Sequence, residues 1–112
     1  MAQTLAAGEA VSLRSLIAVT DAGVASRILS KAAGGNVTLF AFDDGQGLTE
    51  HTSPFEALVM VLDGSMTLTI GGTPVTATPG TIVRMPANVP HALEAQTQTR
   101  MLLIMLRDNP TA

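Results

Sequence analysis

The 112-residue chain has no cysteine, tryptophan or tyrosine, and only three phenylalanines. Without cysteine there are no disulfides, thiolate metal sites or cysteine nucleophiles, so stability must come from packing, and the composition fits a reducing compartment. Without tyrosine or tryptophan, a mechanism that pairs a base with a tyrosine acid is excluded, and the aromatic platforms that carbohydrate sites favour are missing. Charge is scarce too: charged residues make up 13% of the chain, against roughly 25% in an average soluble domain. The six basic side chains, Arg14, Arg27, Lys31, Arg84, Arg100 and Arg107, stand singly. No basic stripe can neutralise phosphates, and nucleic acid is not expected as a partner. No apolar run approaches the roughly 18 residues of a membrane span, and Arg14 and Asp21 interrupt the alanine-rich start, which no basic segment precedes. A cytoplasmic protein without a membrane partner is expected.

What the chain does have is apolar aliphatic content, 46% hydrophobic overall, punctuated by ten glycines and six prolines. A chain of this length is expected to form one domain over 1–112 and to bury roughly 65% of its unfolded surface. Short β-branched runs between glycine and proline predict an all-β sandwich or barrel, while helical periodicity is weak throughout. Residues 1–23 read as an amino-terminal arm, with 11–18 forming a strand or a single helical turn, and 24–30 as a strand. In 36–42, Val37, Leu39 and Ala41 alternate with Thr38, Phe40 and Phe42, so both faces are apolar and the strand should be covered on both sides. Residues 43–47 are expected to form a loop, and 43–50, with two glycines, to be the mobile segment. Asp63-Gly64 between 56–62 and 65–70 predicts a tight hairpin, and Gly71-Gly72 predicts another leading into 73–78. Pro79-Gly80 marks a corner, and 81–85, 91–96 and 100–106 bring the count to about nine strands.

The only two histidines, His51 and His91, each stand at a fixed distance from a glycine. Gly45, His51, Ser53, Ala57 and Gly64 occupy the positions of a G-x5-H-x-H-x3,4-E-x6-G motif. Gly80, Pro86, Asn88, His91 and Ala95 occupy those of G-x5-P-x-G-x2-H-x3-N. On these residues the chain resembles the cupin superfamily, as a small conserved-barrel protein whose ligand set is degenerate. The resemblance covers 36–106 and implies a double-stranded β-helix, or jelly-roll, barrel of about nine or more short antiparallel strands. It also implies a metal held by three histidines and a glutamate. Here Ser53 stands for one histidine and Ala57 for the glutamate, so only His51 and His91 remain as candidate ligands. Asn88 stands for a glycine, and asparagine can still adopt positive φ there.

Strand alternation sends His51, Ser53, Ala57, Val59 and Val61 to one face, the barrel interior, if no bulge intervenes. By the same parity Glu56, Glu50 and Glu94 turn away and cannot replace the missing carboxylate unless the register shifts. Met101 and Met105 share a face of the last strand. They read as adaptable core filler, with thioether ligation of a soft ion such as Cu(I) as the alternative. Ser53 as a nucleophile activated by His51 lacks an orienting acid.

Two functions survive. The first is binding of a small molecule in an apolar pocket lined by Ala57, Val59, Val61, Val83, His91, Leu93 and Met101, with His51, His91 and Ser53 as its polar groups. A divalent Fe, Mn, Ni, Cu or Zn ion on His51 and His91 would be optional. The second is a metal-dependent oxygenase or isomerase whose two-histidine centre is completed by water or substrate. A homodimer is expected, because the arm and the outward-facing Leu58, Met60 and Leu62 would otherwise lie exposed.

Overall fold

The architecture follows from a shortage of helix formers in register and a surplus of short β-branched runs: nine strands and a single short 3-10 turn, Leu13–Ser15, make up the regular structure among the described residues. The computed structural model describes residues 4–107; the first three residues of the expected arm and residues 108–112 lie outside the described residues. The strands are β1 (Val24–Ala32), β2 (Gly35–Phe42), β3 (Gly47–His51), β4 (Glu56–Asp63), β5 (Met66–Ile70), β6 (Thr73–Ala77), β7 (Ile82–Met85), β8 (His91–Ala95) and β9 (Thr99–Leu106). They form a five-stranded sheet, β1-β2-β9-β4-β7, and a four-stranded sheet, β3-β8-β5-β6. Neighbouring strands pair antiparallel throughout. This is a jelly-roll β-barrel.

Between the sheets lies a core in which Phe42, Val59, Val61, Met66, Leu68 and Met101 are fully buried. Each such side chain contributes about 1.5–3 kcal/mol on leaving water. A second apolar layer, Leu29, Leu39 and Leu102, lies on the other face of the five-stranded sheet. Leu13, Leu16 and Ile17 of the amino-terminal segment pack against it, as do Met60 and Leu62 of β4. This explains the two-faced pattern of β2: Phe40 and Phe42 face the barrel, and Val37 and Leu39 face the arm. Part of the outer face of this sheet is thus covered by the chain's own amino-terminal segment, and Leu58, Met60 and Leu62 are half-buried. Polar contacts fasten the arm. Arg100 donates to the Ile17 carbonyl (3.1 Å) and Arg27 to that of Leu16 (3.3 Å), while Arg14 pairs with Asp63 at 3.1 Å.

The Asp63-Gly64 hairpin does not form. β4 is flanked by β9 and β7, so both of its edges are taken, and β5 starts in the other sheet. Gly64 does adopt the positive φ that the dipeptide suggested, +87°. It serves a corner between sheets instead. A side chain there would run into the Gln98 carbonyl and Thr99. The corner's hydrogen bonds go to the start of β9: Ser65 N–H donates to the Thr99 hydroxyl (3.2 Å), and Arg100 N–H donates to Asp63 (3.2 Å). Gly71-Gly72 does close a two-residue hairpin, with Ile70 opposite Thr73.

Residues 43–50 also differ from expectation, since 47–50 belong to strand β3 and the first half is bonded in place. Gly45 N–H donates to Ala95 O (2.9 Å) and Ala95 N–H to Gln46 O (2.8 Å). The Asp43 carboxylate lies below its usual range because it accepts from Ala22 N–H, the Gln98 amide and Asp44 N–H.

Gly64→Ala combines strain at positive φ with a backbone collision, so it should lower stability by more than about 1 kcal/mol in urea unfolding. Gly72, whose φ is +85° but which has open space where a Cβ would go, should bear alanine at smaller cost. Equal losses at the two sites would contradict the corner packing.

Candidate functional site

His51 closes β3 and His91 opens β8, and the two residues are directly opposed across the strand pair. The opposition depends on an irregularity. Leu48 pairs with Leu93, and His51, rather than residue 50, pairs with His91. The extra residue re-aims the end of β3 so that Leu48 and His51, three apart, both line the same cavity. Gly47 permits the close approach that starts this pairing, since a side chain would strike the Leu93 carbonyl.

The approach to His91 is built by the preceding turn. Asn88 takes φ +65° and donates its N–H to the Ser53 carbonyl (2.8 Å), while Pro90 O accepts from Gly71 N–H (2.8 Å). Both sides of the mouth are therefore tied to the turn that delivers the histidine. His91 is 5% exposed, and His51 is exposed at the rim.

The imidazoles meet edge to face, with ring centroids 4.3 Å apart. His51 Nδ1 lies 2.8 Å from Thr49 O, and His91 Nδ1 lies 3.1 Å from Val89 O. A carbonyl oxygen only accepts, so both Nδ1 atoms must carry the proton. Both neutral rings then present bare Nε2 lone pairs, and these face each other at 3.1 Å. Two lone pairs at that distance repel; one electrophile between them, a proton or a metal ion, turns the contact attractive. A second shell of backbone carbonyls on the far ring nitrogens is also what orients metal-bound histidines. Two nitrogens 3.1 Å apart, each about 2.1 Å from a shared ion, subtend roughly 95° at it, within the range of metal-ligand angles.

The cavity they face has a volume of about 40 Å³. Ser53, Ala57, Leu93 and Met101, all named from the sequence, line it. Ser53 Oγ accepts from Phe55 N–H (3.1 Å), which leaves its proton free to donate. Val59 and Val61 do not line the cavity: they are fully buried below it in the interlayer core, and Val83 sits beside Val59 in register and packs against that core. The alternation placed them on the correct face but not at the correct depth. Four lining residues were not predicted as such: Leu48, Met85, Leu103 and Met105. The signal for Met85 and Met105 is register, since both lie directly opposite Ala57 on the strands either side of it.

Glu56 faces away and pairs with Arg84 at 2.7 Å, an exposed bond that lowers the Glu56 pKa and raises that of Arg84. Glu50 and Glu94 are exposed. Among the described residues no cluster of three or more histidine, cysteine, aspartate or glutamate side chains exists. The residues present therefore do not fit a hard divalent ion held by three histidines and a carboxylate, but two nitrogen donors of that set converge.

The model of the cupin domain matches residues 38–107. The chain belongs to the cupin family. Solved structures agree. A conserved Streptococcus pyogenes protein of unknown function is 28% identical, with a TM-score of 0.89 over 96% of this chain and 95% of its own. A cupin superfamily protein from Desulfitobacterium hafniense is 26% identical, with a TM-score of 0.87 over 96% and 99%. A cupin 2 conserved barrel domain protein from Leptotrichia buccalis is 33% identical, with a TM-score of 0.79, over 83% of this chain but 45% of its own. No protein of curated function matches the chain. No helix among the described residues is long and apolar enough to cross a membrane.

If Asn88 is there to hold positive φ, Asn88→Gly should preserve stability and Asn88→Val should cost about 1–2 kcal/mol in urea unfolding. Indifference to valine would show that the turn before His91 carries no such constraint.

Proposed function

We propose that this cupin is a metal-binding protein that holds a single transition-metal ion on Nε2 of His51 and His91. The observation that carries the reading is the hydrogen-bond arrangement: both Nδ1 atoms face carbonyl oxygens, and both Nε2 atoms converge at 3.1 Å. Imidazole nitrogen suits Zn, Cu, Fe and Ni.

Volume favours an ion over an enclosed organic ligand. Pockets that enclose small molecules measure about 300–1,000 Å³, whereas this cavity measures about 40 Å³. At about 10–15 Å³ per water, it has room for an ion with a water or two. A small molecule would instead meet the ion at the rim, where His51 is exposed and Ser53 can donate. The lining holds no carboxylate to serve as general base, so binding is favoured over oxygenase or isomerase chemistry. A cytoplasmic homodimer belongs to the same reading. Ile82 and Leu106, exposed on the five-stranded sheet, support the association, which a sedimenting species of monomer mass would remove.

The test is equilibrium dialysis of chelator-stripped protein against Zn(II), Ni(II) and copper. One equivalent should bind, and His51→Ala and His91→Ala should each weaken binding at least about 100-fold, the upper end of what losing an outer-shell partner costs. Glu56→Gln should leave it unchanged, because Glu56 pairs outward with Arg84. Retention of metal by His91→Ala would sink the reading.

A further inference from the structure

We infer that the ion this site is built for is Cu(I), completed by the thioethers of Met85 and Met105. The inference rests on the proposed two-histidine metal site and names the ion it selects.

The argument starts at Ala57, where the resemblance implies a carboxylate. Ala57 lies opposite Met85 on β7 and opposite Met105 on β9. Residues so paired have Cβ atoms about 4.5–5.5 Å apart, and all three side chains line the cavity that His51 and His91 face. The short side chain of alanine stands between two flexible side chains, each carrying a thioether sulfur at its δ position, a reach similar to that of a glutamate carboxyl. The position that has lost its oxygen donor is therefore flanked on both sides by soft donors. Met101 lines the same cavity farther along β9, opposite Val61.

Charge points the same way. With no carboxylate in the lining, a divalent ion would bring uncompensated charge into an apolar cavity. Born self-energy grows as the square of charge, so the cost for a divalent ion is about four times that for a monovalent one. A monovalent ion that prefers thioether and imidazole to oxygen meets both constraints, and Cu(I) has that preference. Ser53, the one hydroxyl in the lining, already accepts a backbone N–H on its oxygen, which makes it a poor additional ligand.

The plain alternative is that these methionines only fill space, as methionine does in many cores. Replacement by leucine separates the two, because Met→Leu conserves volume and usually costs less than about 1.5 kcal/mol. The experiment is anaerobic titration of the full chain with Cu(I) in competition with a chromophoric Cu(I) chelator, alongside Zn(II) titration, for wild type, Met85→Leu, Met105→Leu, the double variant and His91→Ala. Copper-edge X-ray absorption on the loaded wild type reads the donor atoms.

Cu(I) should bind one equivalent with sulfur in its first shell. Each leucine should weaken Cu(I) by at least about ten-fold, the lower end of what losing even an outer-shell partner costs a metal site, while Zn(II) affinity stays unchanged. His91→Ala should lose both ions. If wild type binds Zn(II) but not Cu(I), or if the double leucine variant holds Cu(I) as tightly as wild type, the thioether assignment is overturned and the two-histidine site stands. If no ion binds to wild type, both fall together.

Discussion

The extra residue that β3 carries between Leu48 and His51 decides which way His51 points. In a regular ladder the partner of His91 would be residue 50, and His51 would turn to the outer face with every second side chain. One inserted residue brings His51 over the cavity and opposite His91, and it does so at the end of a strand, where little pairing is lost. Fixed points surround it. The turn at Asn88 is bonded to Ser53, Pro90 to Gly71, and the Asp43–Gln46 segment to the end of β8. The mouth is thus rigid because its loops share backbone hydrogen bonds, while the interlayer core beneath supplies the stability that a cysteine-free chain cannot draw from cross-links.

Rigidity matters because the imidazole pair is unsatisfied on its own terms. If one ring moved its proton from Nδ1 to Nε2, the pair could form an ordinary N–H to N hydrogen bond, but here each Nδ1 is already engaged with a carbonyl two residues back in its own strand or turn. Moving either proton to Nε2 would exchange that bond for a lone pair directed at a carbonyl oxygen, and flipping either ring would put a carbon there instead. The backbone therefore sets the protonation pattern of the two side chains, and the space between the two Nε2 atoms is left for an electrophile.

Much of the fold was legible because it is written in local pattern. The two apolar faces of β2 announced a strand covered on both sides, the Gly71-Gly72 turn announced its hairpin, and the parity of Glu56 correctly removed it from the site. Asp63-Gly64 misled because positive φ is a property of one residue, whereas pairing is a property of two strands; β4 had no free edge to offer. The same limit hid Met85, and it hid the place of Met105, which the sequence offered as a thioether only together with Met101. Their closeness to Ala57 is a matter of register between strands 28 and 48 residues apart along the chain, and no spacing within one strand encodes it. Depth was hidden as well: alternation put Val59 and Val61 on the inner face, but only the closing of the second sheet decides that they are core and Ala57 is cavity.

Register also changes how the departures from the family pattern are weighed. Taken singly, a serine for a histidine and an alanine for a glutamate read as decay of a site. Taken across the sheet, the row Met85, Ala57, Met105 sets two thioether side chains on either side of the position where the family pattern has a carboxylate. A decaying site has no reason to keep both remaining imidazoles oriented by carbonyls and aimed at one point in so small a cavity. Two Nε2 lone pairs held face to face cost stability unless a proton or an ion lies between them, and a single substitution at His51, whose side chain is at the rim, would relieve that cost. On the proposed reading, the arrangement is a change in the kind of ion rather than its loss.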